Sequence, residues 1–166
     1  MTDRPFAHEP VLAESELRHL VLAAQREGNR ELAKVLAPFE LSPSQSEVIR
    51  VIGDFGPLSL KRLGSLIICE SGSPSRLVDS LVSRGLVQRS TDPKDKRGVV
   101  LSLTSNGKSN YVLVVQAENA LDSFAESLFT AEEKSVMATA FRRFLSNTAS
   151  GEAIQGRFAT RRKAIK

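Results

Sequence analysis

A single hairpin pattern in an otherwise helical sequence limits the folds open to this chain. Two short runs rich in apolar and β-branched residues, 86–91 and 99–104, flank a turn at residues 92–98. Such runs around a turn containing proline and glycine are typical of two antiparallel strands. In the second strand, period-two alternation predicts one shared face for Val99, Leu101 and Leu103. Because the turn is rich in cations and offers little apolar surface to bury, we expect it to face an anionic partner.

Length and composition indicate one domain of ordinary size. The 166 residues fit a single globular core, and the longest apolar run is much shorter than the roughly 20 residues that span a bilayer. We therefore expect a soluble, cytoplasmic protein with no membrane partner. One cysteine, Cys69, and two histidines, His8 and His19, form no cluster with zinc spacing. The sequence predicts neither a metal site nor a cofactor.

Three short helices are predicted ahead of the hairpin, each begun by a serine that can cap its first turn. These serines are Ser42, Ser59 and Ser73. The first of them also begins a capping box with Gln45, and Gly85 can end the third helix in a left-handed conformation. Three helices followed by a hairpin predict a winged helix-turn-helix over residues 41–103. In that fold the third helix can enter a DNA major groove.

Longer apolar helices are predicted at both ends of the chain. Residues 14–40 contain a helix interrupted near Gly28, and residues 104–149 contain two helices, the second begun by a capping box at Thr130. This is more apolar helical surface than a small winged helix needs for its own core. We therefore expect residues 1–149 to form one mainly α unit with a small β-hairpin, in which the terminal helices dimerise two copies.

Positive charge is concentrated in the middle of the chain. Residues 61–108 carry 9 basic and 4 acidic side chains, whereas residues 1–150 as a whole are neutral. A local excess of cations is typical of a surface that contacts phosphates. The remaining excess lies in a basic C-terminal tail, residues 150–166. We interpret this tail either as a solvated, mobile end or as an additional arm that contacts phosphates.

From about Leu32 to Leu145, the sequence resembles the MarR family of winged-helix transcriptional regulators. The resemblance is carried by linked motifs in the order and spacing of the family, namely Leu41-Ser42, Gly56-Pro57-Leu58-Ser59, Ser75-Arg76-Leu77-Val78-Asp79-Ser80-Leu81, Gly85-Leu86-Val87 and Asp92-Pro93-Lys94-Asp95-Lys96-Arg97 before Val100-Leu101-Ser102-Leu103-Thr104. It implies a homodimer that binds double-stranded DNA at a roughly palindromic operator. It also implies a regulator of transcription, which we expect to be a repressor.

The resemblance assigns roles to individual residues of the wing and the recognition helix. Arg97 falls at the wing-tip position that enters the minor groove, where negative potential attracts a guanidinium, and Asp95 falls at the position that holds this arginine by a salt bridge. The other candidate DNA contacts are short hydroxyls and cations near the recognition helix and the wing, namely Lys61, Arg62, Ser71, Ser73, Ser75, Arg76, Lys94 and Lys96.

Some of these residues have a plain structural alternative. Arg76 could pair with Asp79 or Ser80 of its own helix instead of contacting DNA. Lys61 and Arg62 could be ordinary solvent-facing side chains.

The resemblance also implies a small amphipathic or aromatic ligand that releases the protein from DNA. Such a ligand would bind between the dimer helices and the winged helix. The candidate lining residues, drawn from the first, second and fifth helices, are His19, Arg50, Phe55 and Tyr111. A histidine on an apolar helix face more often has a structural role, which is the alternative for His19.

Two other functions are alternatives to DNA binding that is controlled by a ligand. A winged helix can bind a protein instead of DNA, although such a module would not need a cationic wing tip. Cys69 could sense oxidants, but its apolar and acidic neighbours favour a buried, unreactive side chain. An enzyme is not expected, because the sequence shows no nucleophile paired with a base and no glycine-rich phosphate loop.

Overall fold

The computed structural model describes residues 15–68, 73–93 and 95–163, and of residues 160–163 only the backbone. Seven α-helices, three strands and a short 3-10 helix, Ala37–Phe39, which directly follows the first α-helix, lie within this part of the chain. In chain order the α-helices and strands are α1 Glu16–Leu36, α2 Pro43–Phe55, β1 Leu58–Ser59, α3 Leu60–Gly64, α4 Pro74–Ser83, β2 Val87–Thr91, β3 Val99–Leu103, α5 Ser105–Ser127, α6 Ala131–Phe144 and α7 Ala149–Lys163. The predicted class, mainly α with a small β-hairpin, is confirmed. None of the described helices is long and apolar enough to cross a membrane.

Local capping signals begin the helices where they were predicted. The Ser42 hydroxyl accepts a hydrogen bond from the Gln45 backbone at 3.2 Å, and the Gln45 side chain accepts one from the Ser42 backbone at 3.0 Å. Thr130 forms a second capping box at the start of α6. Gly85 ends α4 with φ of 66°, a left-handed conformation that favours glycine. Ser73 lies at the N-cap of α4, but its side chain makes no capping bond.

Helix α1 is continuous through Gly28, so the predicted interruption is wrong. Glycine inside a helix costs about 1 kcal/mol relative to alanine, which weakens a helix without having to break it. Ion pairs on the same helix surround this position. Arg30 pairs with Glu27 at 2.6 Å, and Lys34 pairs with Glu31 at 2.7 Å. Pairs at this spacing each support a helix by a few tenths of a kcal/mol.

The sheet has one strand more than the hairpin pattern predicts. Its antiparallel order is β1-β3-β2, and β1 has only two residues, too few to show an alternating pattern. Leu101 and Leu103 are buried as expected, but Val99 is 54% exposed and Val100 is buried. Val99 shares a face with Leu101 and Leu103 but is not buried with them, because β1 ends opposite Val100 and Val99 and its partner Thr91 extend beyond the third strand.

One hydrophobic core joins the winged helix to the ends of two neighbouring helices. We call residues 41–103, which contain α2 to β3, the reading head. Its core includes side chains from every element of the reading head together with Leu36 at the end of α1 and Val114 of α5. Helix α6 contributes no buried residue. The core is therefore concentrated around the reading head.

The basic C-terminal tail forms helix α7, so the expectation of a solvated, mobile end is wrong for residues 150–163. Gly151 and Ala153 are buried. A Cβ atom at Gly151 would collide with the carbonyl oxygen of Leu145, which shows how closely the start of α7 approaches the end of α6. These tertiary contacts hold the helix, whose sequence alone carries little apolar periodicity.

Candidate nucleic-acid interface

The wing tip is closed by backbone hydrogen bonds and exposes its cations. The Asp92 amide donates to the Gly98 carbonyl at 2.9 Å, and the Gly98 amide donates to the Asp95 carbonyl at 2.8 Å. Lys96 and Arg97 are both exposed at this tip. A turn fixed by its own backbone leaves these long side chains available for a partner.

Asp95 holds the backbone of Arg97, and the predicted salt bridge to its guanidinium is not formed. The Asp95 carboxylate accepts a hydrogen bond from the Arg97 backbone amide at 3.0 Å. Aspartate commonly accepts from the amide two residues further along a turn, and this short-range bond competes with a side-chain ion pair. Asp95 therefore orders the wing tip while leaving the Arg97 guanidinium free of an ion pair within the described part of the chain.

The start of recognition helix α4 presents one long cation. Arg76 is exposed and makes no side-chain hydrogen bond or ion pair with any residue that the structure describes. Its predicted alternative partners are taken, because Asp79 pairs with Arg89 and the Ser80 hydroxyl accepts from Gln45 at 3.0 Å. Of the helix's predicted hydroxyls, Ser73 is exposed and Ser75 is half-buried. Arg76 is thus available to an anionic partner.

The pair formed by Arg89 and Asp79 was not predicted. Arg89 Nη2 of β2 lies 2.6 Å from Asp79 Oδ1 of α4, and both side chains are substantially exposed. An exposed pair contributes about 0–1 kcal/mol to stability, so its effect is chiefly to orient the helix relative to the wing. Ten residues separate the two partners, and no periodicity in the sequence links a helix face to a strand face.

The remaining predicted DNA contacts fall into two groups. Lys61 and Arg62 are exposed on α3, and the Arg62 guanidinium lies 3.5 Å from the Ser65 hydroxyl. Ser71 and Lys94 lie outside the described residues, as does Cys69. Several described cations of the reading head are thus exposed on α3, α4 and the wing, where they are available for phosphate contact.

Two of the four predicted ligand contacts, Arg50 and Tyr111, meet in a partly buried polar cluster. Arg50 Nε lies 2.9 Å from Asp54 Oδ2, and its Nη1 lies 3.1 Å from Glu118 Oε2. The Tyr111 hydroxyl donates to Asp54 Oδ1 at 2.6 Å, and its ring centroid lies 5.8 Å from the Arg50 guanidinium carbon. The cluster joins α2 to α5, and its polar groups bind one another.

The ionisation of this cluster follows from burial and pairing. Burial by itself would lower the pKa of Arg50, but Asp54, Glu118 and Tyr111 outweigh it and raise the pKa above its ordinary value. Burial raises the pKa of Glu118, and the charges of Arg50 and Arg157 oppose that rise. Arg50 therefore stays charged and bound to its carboxylates.

The other two predicted ligand contacts lie apart from this cluster. His19 is exposed on α1, with Nδ1 3.0 Å from the carbonyl oxygen of Ser15. Phe55 is half-buried and packs against the hydrophobic core.

A cavity of about 770 Å³ lies where helices α1, α2, α5 and α7 meet. The first three are the helices from which a ligand site was expected. None of the four predicted residues lines the cavity, whose walls include Leu32, Glu47, Glu118, Leu121, Arg157 and Phe158. Sequence reasoning missed this lining because it did not anticipate that α7 would fold back against α2.

Known proteins resemble this chain most clearly in the reading head. The sequence model of the MarR family matches residues 41–99. The multiple antibiotic resistance protein MarR of Escherichia coli K12 is 33% identical over 94 residues, which are 55% of this chain and 63% of that protein. The regulator TtmR of Methylorubrum extorquens is 33% identical over 100 residues, which are 60% of this chain and 51% of that protein. The chain thus matches less than two thirds of the length of these relatives.

The likeness in three dimensions extends further. A mutant of E. coli MarR complexed with operator DNA has a TM-score of 0.69 at 26% identity, over 78% of this chain and 93% of that one. BpsR of Bordetella bronchiseptica, whose DNA binding is regulated by 6-hydroxynicotinic acid, has a TM-score of 0.71 at 19% identity, over 84% of this chain and 99% of that one. The second likeness shows the fold alone. Residues 41–99 thus match the MarR family, and the described chain has the winged-helix fold of E. coli MarR.

Proposed function

We propose that this protein is a sequence-specific, DNA-binding transcriptional regulator. The observation that carries the proposal is a winged helix with an exposed arginine, free of ion pairs, at each of two places, Arg76 on the recognition helix and Arg97 at the wing tip. A winged helix that binds only protein has no need of both. The complex of E. coli MarR with operator DNA supports the same interpretation.

In this proposal the two arginines contact different grooves. Helix α4 enters the major groove, where Arg76 reaches base edges, and Arg97 enters the adjacent minor groove. Phosphate contacts position the protein on the DNA without depending on the base sequence. They come from Lys61, Arg62, Lys94 and Lys96 and from the hydroxyls of Ser71, Ser73 and Ser75.

We also propose that the regulator is a homodimer that represses transcription by occupying a palindromic operator. Apolar side chains are exposed along the helices outside the reading head, among them Leu17, Leu20, Phe124, Val136, Phe141 and Phe144. Exposed apolar surface of this extent is typical of an interface. A two-fold dimer places two recognition helices about one helical turn apart, which matches a palindrome.

Release from DNA by a small amphipathic or aromatic ligand completes the proposal. Its support is the cavity between α1, α2, α5 and α7, whose volume suits a small molecule. Ligand binding there would act on helices that connect the reading head to the terminal helices. This part can be tested separately. Aromatic acids and amines are added one at a time to the complex of protein and DNA, and release of the DNA is measured.

The central test is the substitution Arg97→Ala. We expect DNA affinity to fall by about 1–3 kcal/mol, because the guanidinium loses its groove contact. The probe is a fragment that the wild-type protein selects from genomic DNA, and binding is measured by fluorescence anisotropy. Arg26→Ala removes an equally exposed cation from α1 and serves as the control, with affinity unchanged.

Two outcomes would count against the proposal. Wild-type affinity in the Arg97→Ala protein would remove the wing from the interface. Absence of any DNA binding by the wild-type protein at low salt would remove DNA as the partner and favour a winged helix that binds protein.

A further inference from the structure

We infer that helix α7 positions the helix-turn-helix for DNA binding through the ion pair between Arg157 and Glu47. The inference rests on the proposed DNA-binding function and assigns two positioning residues to it. Glu47 was not a candidate from the sequence, and Arg157 was considered only as part of the basic tail. Neither lies on the recognition helix or the wing.

The ion pair joins the end of the chain to the first helix of the reading head. Arg157 Nη1 lies 2.7 Å from Glu47 Oε1, and the two side chains are 15% and 14% exposed. A pair this well shielded holds its partners more firmly than an exposed pair, and removal of one partner leaves an uncompensated charge. Arg157 therefore cannot also serve as a free phosphate contact.

The same carboxylate oxygen holds the turn that leads to the recognition helix. Glu47 Oε1 accepts a hydrogen bond from the Ile68 backbone amide at 2.9 Å. Only residues 69–73 separate Ile68 from the first residue of α4. Arg157 orients Glu47, and Glu47 in turn holds the backbone at Ile68, which precedes α4 in the chain.

Close packing brings α7 directly onto this turn. A Cβ atom at Gly156 would lie 2.9 Å from Leu66 Cδ2, and Leu66 is fully buried. Contacts this short are essentially never seen for a real Cβ, so the missing side chain lets α7 approach. The ion pair and the glycine contact are adjacent in sequence and act on the same three-residue stretch, Leu66 to Ile68.

The consequence for DNA binding is geometric. Without Arg157, the Glu47 carboxylate loses a contact that orients it, and its hydrogen bond to the Ile68 amide is weakened. The start of α4 then samples more orientations, and fewer of them fit the groove. Affinity falls because a smaller fraction of the protein molecules has α4 oriented for DNA binding, and not because a phosphate contact is lost.

The salt dependence of binding separates these two mechanisms. The slope of log affinity against log salt concentration counts the phosphates that protein cations neutralise. We expect Arg157→Gln to lower the affinity for a DNA fragment selected from the genome by about tenfold. The salt slope should stay unchanged. Arg157→Lys, which keeps the charge, should retain most of the affinity. Arg143→Gln, which removes an exposed cation from α6, is the matched control and should bind as wild type.

Hydrogen exchange supplies a readout that does not depend on DNA. The peptide that contains Ile68 should exchange faster in Arg157→Gln than in the wild-type protein. Gly156→Leu should reproduce both effects, because it moves α7 off Leu66 without changing any charge. Circular dichroism and thermal unfolding establish that each variant is folded.

The possible results distinguish failure of this inference from failure of the proposed function. Unchanged affinity in Arg157→Gln, or a loss accompanied by a smaller salt slope, would overturn the positioning role. Unchanged exchange at Ile68 would overturn it equally. If the wild-type protein binds no DNA, the proposed function fails, and the exchange measurement alone then decides whether α7 holds the turn.

Discussion

The reading head and helix α6 differ in how far their apolar side chains are buried. Leu63 and Leu81 of the reading head are fully buried. In α6, Phe141 is 44% exposed and Phe144 is 79% exposed, and no residue of this helix is buried. The chain therefore combines a region whose core is completed within one chain, with Leu36 of α1 and Val114 of α5, and a helix whose phenylalanines the described part of the chain leaves largely uncovered.

The comparison separates two sources of stability. Burial of apolar surface contributes about 25 cal/mol per Å², so the reading head gains this free energy within one chain. The same gain for α6 depends on a second surface that covers its phenylalanines. Stability of the reading head should thus be independent of protein concentration, whereas ordering of α6 should depend on it.

A core substitution should give the largest effect and sharpen this contrast. We expect Leu81→Ala to lower the free energy of unfolding by about 2–5 kcal/mol, because it leaves a cavity in a fully packed site. Urea denaturation followed by circular dichroism measures the loss. Val99→Ala, at an exposed position of the wing, is the control and should change stability by less than about 0.5 kcal/mol. Equal losses in the two proteins would contradict the burial pattern.

Substitution in α6 should act on association and spare the reading head. We expect Phe144→Ser to raise the dissociation constant of the proposed homodimer by about tenfold or more, since a large aromatic side chain leaves the interface. Sedimentation over a range of concentrations measures it. The midpoint of urea unfolding of the reading head should stay unchanged.

Val99→Ser is the matched control for this experiment, because it also replaces an exposed apolar side chain but lies on the wing. The comparison between the two regions breaks down if Val99→Ser dissociates the dimer as strongly as Phe144→Ser does. It also breaks down if the wild-type protein is a monomer at all concentrations.

The smallest effect should appear at Glu118, where α5 connects the two regions. Burial raises the pKa of Glu118 above its ordinary value of 4.5. The native state then binds this proton more tightly than the unfolded state. The resulting stabilisation is complete below the unfolded pKa and is lost as pH rises through the native pKa.

The substitution Glu118→Gln removes this titration. We therefore expect the free energy of unfolding of the wild-type protein, relative to that of Glu118→Gln, to increase as pH falls from 7 through the pKa of Glu118. Urea unfolding of both proteins at a series of pH values measures the difference. A constant difference would show that pairing with Arg50 and Arg157 balances burial, and a difference that decreases toward acid pH would show that pairing outweighs it.

Signals that act within a few residues could be predicted from the sequence. The capping box at Ser42, the left-handed Gly85 and the hairpin strands all follow from local hydrogen bonds, backbone conformation and side-chain alternation. The wing was found for the same reason. Its turn residues and its cations are contiguous in sequence.

Features that depend on distant residues could not be predicted. Strand β1 has two residues and forms only because β3 lies beside it. Helix α7 has little apolar periodicity, and its position depends on contacts with α6 and the reading head. The pair of Glu47 with Arg157 joins residues 110 positions apart, so no spacing rule could connect them.

The sequence by itself determined the order of the helices, the hairpin and the likeness of the reading head to the MarR family, because caps, periodicity and turn chemistry are short-range properties. Only the tertiary structure decided what each arginine does. Arg76 and Arg97 are exposed, Arg89 pairs with Asp79, and Arg157 is shielded against Glu47. These side chains are chemically identical, and their roles differ because folding alone determines which carboxylates come within bonding distance.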